Sequence, residues 1–272
     1  MRQPLRYPWP GPDVDDLPAP VVAVRVDVGT NAEVPEHRHR RGQLVFVLGG
    51  SVTCSVSGGI WMVPPHCAVW IPGRLKHSNA ATANARMFFV YVEPGAVALP
   101  DRCSTLSISP LVRELIVALA DQARQDDARA KLLTSLLLAE LPRMPVQQLH
   151  LPTSSEPHLK QIAEALAANP ADRTTLADWA RRVALSESSL ARLVVKETGL
   201  SFGRWRRQLH LIVAIRQLAS GASVQQVSAD LGYESVTAFI TMFKKALGKS
   251  PARYLRSVAQ DEGFAFPSRA PG

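Results

Sequence analysis

The stretch VQQVSADLGYESVTAFITMFKKALGKSPARY, residues 224–254, decides how this chain is read. Ser223-x-x-Gln226 has the form of a capping box opening a short helix, and Ser235 is placed to cap a second one. Gly232 between them suits a turn that needs a positive φ, and Gly248 suits the end of the second helix. Val227, Leu231, Phe239 and Phe243 fall on the apolar faces of the two helices, with Tyr254 as a further core candidate. The pattern predicts a helix-turn-helix unit over 224–247.

An earlier stretch repeats it. LADWARRVALSESSLARLVVKETGLSFGRW (176–205) places Leu190 on Phe239, Val194 on Phe243, Gly199 on Gly248, Ser201 on Ser250 and Trp205 on Tyr254. Thr175-x-x-Asp178 opens its first helix and Ser186 its second, giving a first unit over 176–198. Leu176, Ala180 and Val183 complete its expected core. Ala184 stands where the second copy has Gly232, so the first turn is expected to be an ordinary one. The continuous helical stretch SFGRWRRQLHLIVAIRQLA (201–219) would hold the two units at a fixed spacing.

Charge points the same way. The whole chain of 272 residues carries a net +8, and residues 192–256 alone, with 11 basic and 3 acidic side chains, carry the same +8. Residues 1–152 are close to neutral at +2. A basic module behind a near-neutral front suits a polyanion; a merely solvated basic surface is the plain alternative. Any two-helix hairpin resembles one such unit, whereas two copies in a basic region are far more specific.

G-Y-E-S-x-x-x-F-x-x-x-F-K-x-x-x-G-x-S-P-x-x-Y at 232–254 resembles the signature of the AraC/XylS-type transcription regulators, and SLARLVVKETGLSFGRWRRQLHL resembles the matching first unit. The resemblance covers residues 158–256; Val194 departs from it at a core position where the family usually has Phe. It implies two recognition helices entering successive major grooves on one face of double-stranded DNA, about 34 Å apart. Base readers are then expected at Glu187, Ser188, Ala191 and Arg192 in the first copy and at Val236, Thr237, Ile240 and Thr241 in the second. Arg192 suits a bidentate contact to guanine, and Val236 and Ile240 suit thymine methyls. Lys196, Arg204, Arg206, Arg207, Lys244, Lys245 and Arg253 suit phosphates. The implied protein is a regulator, not an enzyme, with RNA polymerase as a further partner the resemblance allows.

The front of the chain has a β texture. VVAVRVDV, QLVFVL, SVTCSVS, IWMV, AVWI and RMFFVYV lie between Val21 and Val92, with GG49–50, GG58–59, PP64–65 and PG72–73 between them. Many short strands with such turns predict a β-barrel or sandwich. Within it, EHRHRRGQLVFVLGG (36–50) and the later GIWMVPPHCAVWIPGRLKH (59–77) carry His37, His39, Gln43 and His77. The first three share strand parity and are expected to face one side. The pattern resembles the two cupin motifs and the sensor domain of the arabinose-regulator branch of the same family, in a NimR-like subgroup. It implies a small-molecule or metal effector. Three imidazoles and an amide can hold a divalent transition ion; a polar pocket for an organic ligand or water is the alternative. His66, after the two prolines, is expected to be exposed and outside the site.

The organisation expected is α+β with two domains. Residues 1–20 form an extended, proline-rich arm, 21–100 a cupin-like β-barrel, and 101–150 a helical dimerisation segment. A linker at 151–157 (LPTSSEP) precedes the all-α domain at 158–256 with its two helix-turn-helix units, and 257–272 is a loose tail. In the helical segment, Leu111, Val112, Leu115, Ile116 and Leu119 form a stripe that either builds a homodimer or covers its own barrel. Cys54, Cys67 and Cys103 are odd in number and lack metal-type spacing, which suits a reducing cytoplasm. The N-terminus lacks the apolar core of a secretory signal, and no run of apolar residues is long enough to span a membrane. The competing reading is a metal-dependent cupin enzyme with a helical accessory domain. It requires a general acid or base beside the metal and leaves the repeat unexplained.

Overall fold

The computed structural model describes residues 3–4, 13–28, 31–56, 58–63, 67–121, 128–147 and 150–254. His66, the tail at 257–272 and half of the expected arm lie outside the described residues.

The strands are β1 (Gln3–Pro4), β2 (Val21–Asp27), β3 (Ala32–His37), β4 (Gly42–Gly49), β5 (Val52–Val56) and β6 (Gly59–Val63). They continue with β7 (Cys67–Ile71), β8 (His77–Ala81), β9 (Arg86–Val92), β10 (Ser104–Ser107), β11 (Val146–Gln147) and β12 (His150–Pro152). They form two six-stranded sheets, ordered β1-β3-β8-β5-β6-β12 and β11-β10-β7-β4-β9-β2. Among the described residues no strand pair joins the sheets, so the expected barrel is an open, jelly-roll-like sandwich.

Strands β4 and β9 are the unbroken apolar runs of the sequence, and they are buried on both faces. Val45, Val47, Phe89 and Tyr91 face the opposite sheet. Leu44, Phe46, Phe88 and Val90 face outward under helix α1 (Pro110–Ala120) and helix α2 (Ala128–Glu140). Val112, Leu115, Ile116 and Leu119 of α1 are buried in that outer layer. At roughly 1.5–3 kcal/mol per buried aliphatic side chain, this settles the partner of the α1 stripe as its own sandwich. Leu111 on α1 and Leu132 and Leu136 on α2 remain exposed.

Three expected boundaries are corrected. Residues 13–20 are not a free arm: the Asp15 carboxylate accepts from the backbone N–H of Arg40 at 2.6 Å and of Arg41 at 3.1 Å. The Arg41 side chain, 2% exposed, donates to the carbonyl of Ala19 and pairs with Glu93 at 3.0 Å. The segment 101–150 is not purely helical, because β10, β11 and the first residue of β12 lie within it. The linker 151–157 begins inside a strand: Leu151 and Pro152 pair with Ile60 and Gly59 at the edge of β6. That edge offers unpaired backbone groups, and a proline is tolerated on an edge strand because its outer side needs no donor.

The C-terminal domain is all helix. Helix α3 (Pro157–Ala168) precedes α4 (Leu176–Arg182), α5 (Glu187–Thr198), the long α6 (Phe202–Ala219), α7 (Val224–Asp230) and α8 (Val236–Leu247). Thr175 and Asp178 form a complete capping box. Ser223 caps α7, but the Gln226 side chain turns to Asp230 instead of closing a box. The two turns are alike: Ala184, expected in an ordinary turn, has φ 53°, and Gly232 has φ 67°. Alanine tolerates this left-handed region at a cost, so its occurrence shows that the surrounding packing imposes the turn.

Candidate nucleic-acid interface and histidine pocket

Helices α5 and α8 are the second helices of the two units, and their inner faces are fixed by the repeat. Leu190, Val194, Phe239 and Phe243 are fully buried, so the opposite faces point outward. On α5, Glu187, Ser188, Arg192 and Lys196 are exposed and Ala191 is partly so. Val195, one turn beyond Ala191 and Arg192, is 50% exposed and was not expected among the readers; its spacing on the same stripe is the signal that points to it.

On α8, Thr237 and Thr241 are exposed, whereas Val236 and Ile240 are half-buried and Ile240 packs against the domain core. Thr237, Thr241 and Lys245 line a cleft of about 1010 Å³ whose other wall, from α6, carries Arg204 and Arg207. Ala238 and Arg173 also line it and were not anticipated.

Lys196, Arg204, Arg207, Lys244, Lys245 and Arg253 are exposed, as a phosphate contact requires. Arg206 differs. Its guanidinium donates to the carbonyl of Thr174 and lies 4.7 Å over the Phe202 ring. Burial lowers its pKa, and it is half-buried while lining the same cleft as Arg204 and Arg207.

The histidine pocket lies between the sheets. His37 ends β3 and His77 begins β8, and the two are direct cross-strand partners beyond a bulge that follows Val34. Pro35 lies in that irregular stretch, where its missing N–H interrupts regular pairing. His39 and Gln43 do not continue the strand of His37: a turn separates β3 from β4, so parity along one strand is not what brings them together. The turn is held by the N–H of Arg74 donating to the carbonyl of His39 at 2.7 Å. Gly73 permits this approach, since a Cβ there would lie 2.1 Å from the carbonyl oxygen of Arg40.

One ring nitrogen from each of His37, His39 and His77 lies within 4.8 Å of the other two. His39 and His77 are buried and His37 is half-buried. Each Nδ1 is bonded to a backbone carbonyl: His37 to Pro35 at 2.9 Å, His39 to Arg41 at 2.6 Å and His77 to Leu75 at 2.9 Å. A carbonyl only accepts, so the Nδ1 of His37 and of His77 carries the proton and their Nε2 atoms carry a lone pair. Desolvation lowers the pKa of His37 and brings that of His77 to about 4, which keeps both rings neutral near pH 7. The amide oxygen Oε1 of Gln43 is 3.4 Å from His39 Nε2, and its Nε2 donates at 3.4 Å to Tyr91 Oη.

Comparisons with known proteins give matches in both parts of the chain. Residues 21–141 match the family described as AraC-like ligand binding domain, and residues 179–257 match the helix-turn-helix domain family. The HTH-type transcriptional regulator NimR of Escherichia coli K12 is 51% identical over 237 residues, covering 86% of this chain and 87% of that protein. The HTH-type transcriptional regulator RipA of Corynebacterium diphtheriae is 33% identical over 95 residues, covering 35% of this chain and 28% of its own length. Among solved structures, ToxT from Vibrio cholerae aligns over 87% of this chain and 97% of its own, at 10% identity and a TM-score of 0.38.

Proposed function

The chain belongs to the AraC-type helix-turn-helix transcription regulators, with a ligand-binding domain ahead of the DNA-binding one, and on that premise we propose which of its surfaces carry recognition and sensing. Its relatives are regulators and not enzymes, which removes the cupin-enzyme reading. Helices α5 and α8 enter successive major grooves. Ser188, Arg192 and Val195 face bases from the first helix and Thr237 and Thr241 from the second. Arg204, Arg207 and Lys245 meet the intervening phosphates. The observation that carries this is the repeat itself: two capped helices with matching buried faces, joined by α6, in a region of net +8.

The sandwich is the effector domain, and the pocket around His37, His39, Gln43 and His77 is where a small molecule or metal binds. An effector shifts operator occupancy only by its difference in affinity between two states of the protein. A homodimer through the exposed α2 leucines, contact with RNA polymerase and a cytoplasmic location complete the proposal. No helix among the described residues is long and apolar enough to cross a membrane. Genome-wide footprinting of the protein, followed by gel-shift titration of a recovered site against scrambled DNA, tests the reading. Equal affinity for both DNAs would sink it.

A further inference from the structure

The repeat supplies its own control for one glycine. Ala184 in the first unit and Gly232 in the second take the same left-handed turn, at φ 53° and 67°, so the turn by itself does not demand glycine. Ala184 is exposed, whereas a Cβ at Gly232 would lie 3.0 Å from the carbonyl oxygen of Ala171 and 3.1 Å from its Cβ. What Gly232 accommodates is the segment 170–174, which runs straight into the capping box that opens α4. Arg173 of that segment donates to the carbonyl of Gly232 and lies 5.6 Å from the centroid of the Tyr233 ring, within cation–π range. Tyr233 in turn packs edge-on against Phe239 on the buried face of α8. The middle of α6 holds both sides: Arg206 donates to the carbonyl of Thr174, and one turn on, His210 Nδ1 is 3.3 Å from Tyr233 Oη.

We propose that Arg173 is a positioning residue that sets the angle between the two recognition helices and so selects the spacing of the two DNA sites they read. This rests on the reading that α5 and α8 enter successive major grooves. Helix α6, 18 residues and about 27 Å long, is joined to each unit by a short turn. A helix so joined fixes how far apart the units stand; how they are rotated about its axis depends on contacts beside it. The Arg173 bridge is such a contact. It ties the segment ahead of α4 to the turn ahead of α8, so that the two units move as one body. DNA makes that rotation consequential, since one base pair turns the second groove by about 35° relative to the first. The residues on α5 and α8 choose the bases, and Arg173, on neither helix, chooses how far apart those bases lie.

The test uses the full chain and a site recovered by footprinting, with copies of that site carrying one base pair more or less between the two contacted grooves. Wild type should bind the native spacing most tightly. Gly232→Ala puts the first unit's residue into the second, and Arg173→Met keeps the apolar stem and removes the donor. With the circular dichroism of the wild type, each should lose roughly 3–10-fold of the spacing preference, the scale of one hydrogen bond. Ala184→Gly should keep it. Pulsed electron spin resonance without DNA, between nitroxides at Lys196→Cys on α5 and Lys244→Cys on α8, should show one narrow distance distribution, widened or shifted by Gly232→Ala and by Arg173→Met. The native thiols do not compete for the label, since burial raises the pKa of Cys54, Cys67 and Cys103. An unchanged spacing preference or an unchanged distance distribution in the folded variants would overturn the proposal. So would a loss in Arg173→Met that is equal on every DNA and flattens the salt slope by about 0.9, the mark of a phosphate contact. Failure of the wild type to prefer the recovered site over scrambled DNA is a separate result: it sinks the reading of α5 and α8 as base readers, and the distance measurement then decides on Arg173.

Discussion

The indole Nε1 of Trp205 donates a 2.9 Å hydrogen bond to the carbonyl of Pro152, joining the long helix of the DNA-binding domain to the last strand of the sensor sheet. Both ends are fixed: Trp205 is 3% exposed, and Pro152 pairs with Gly59 on β6. Met62 and Leu151 of the sandwich are part of the same buried cluster as Leu209, Val213 and the helix-turn-helix cores. The sheet that ends on this contact is the one that carries His37 and His77. Trp205→Phe removes the donor and leaves the Pro152 carbonyl buried without it, at an expected cost of about 1–3 kcal/mol in urea unfolding. An unchanged midpoint would show that the two domains do not depend on this bond.

The same contact changes what a truncation should do. A fragment starting near Ser154 keeps the helical caps and faces but loses Leu151, Pro152 and the packing of Met62. It should fold and bind operator DNA, and it should unfold at lower urea than a fragment beginning at His150. A random-coil circular dichroism spectrum of the Ser154 fragment would count against independent folding.

DNA affinity should fall steeply with salt, because each neutralised phosphate releases counterions and adds about 0.9 to the slope of log K against log salt. Arg204→Ala and Lys245→Ala should each flatten that slope by about 1 and weaken all sequences alike. Arg192→Ala should instead cost roughly 1–3 kcal/mol on the operator and little on random DNA. An equal loss on both DNAs would reassign Arg192 to the backbone.

Stability should depend on pH through His210. Burial holds its pKa at about 4, with Arg206 and Arg173 also opposing its charge and a backbone bond at Pro170 partly offsetting them. Its other ring contact is Tyr233 Oη at 3.3 Å. The folded state thus binds fewer protons than the unfolded state between about pH 6.5 and 4. This contribution is complete above that window and is lost as pH falls through it, on the order of 2–3 kcal/mol. His77, held at about 4, adds in the same direction. His210→Gln should therefore reduce, not abolish, the loss of unfolding free energy between pH 7 and pH 4.

Leu132 is 73% and Leu136 42% exposed, one turn apart on α2. Leu132→Glu with Leu136→Glu should convert a dimer to a monomer in sedimentation velocity without lowering the melting temperature of the monomer. A wild-type protein that is already monomeric would remove α2 as the interface.

The helical half is largely legible in the amino-acid order. Its signals are local: caps act over three residues, apolar faces recur every three or four, and a duplicated pattern confirms itself. The β half is legible only where strands are buried on both faces, as in GQLVFVLG and RMFFVYV. The strands AEVPEH and HSNAA carry two of the site histidines and give no such signal, because they mix polar side chains with small ones and include a bulge.

By itself, then, the sequence determined the two helix-turn-helix units, their buried faces, the basic surface and the identity of the histidines. Tertiary structure alone decided that His37 sits opposite His77, that the α1 stripe covers its own sandwich, that LPTSSEP starts as a strand and that Arg206 bonds the carbonyl of Thr174. Each of these joins residues distant along the chain, for the most part through backbone pairing or packing against a separate element. Neither is encoded in the spacing of neighbouring residues, so only the folded chain can show which of several chemically acceptable partners was chosen.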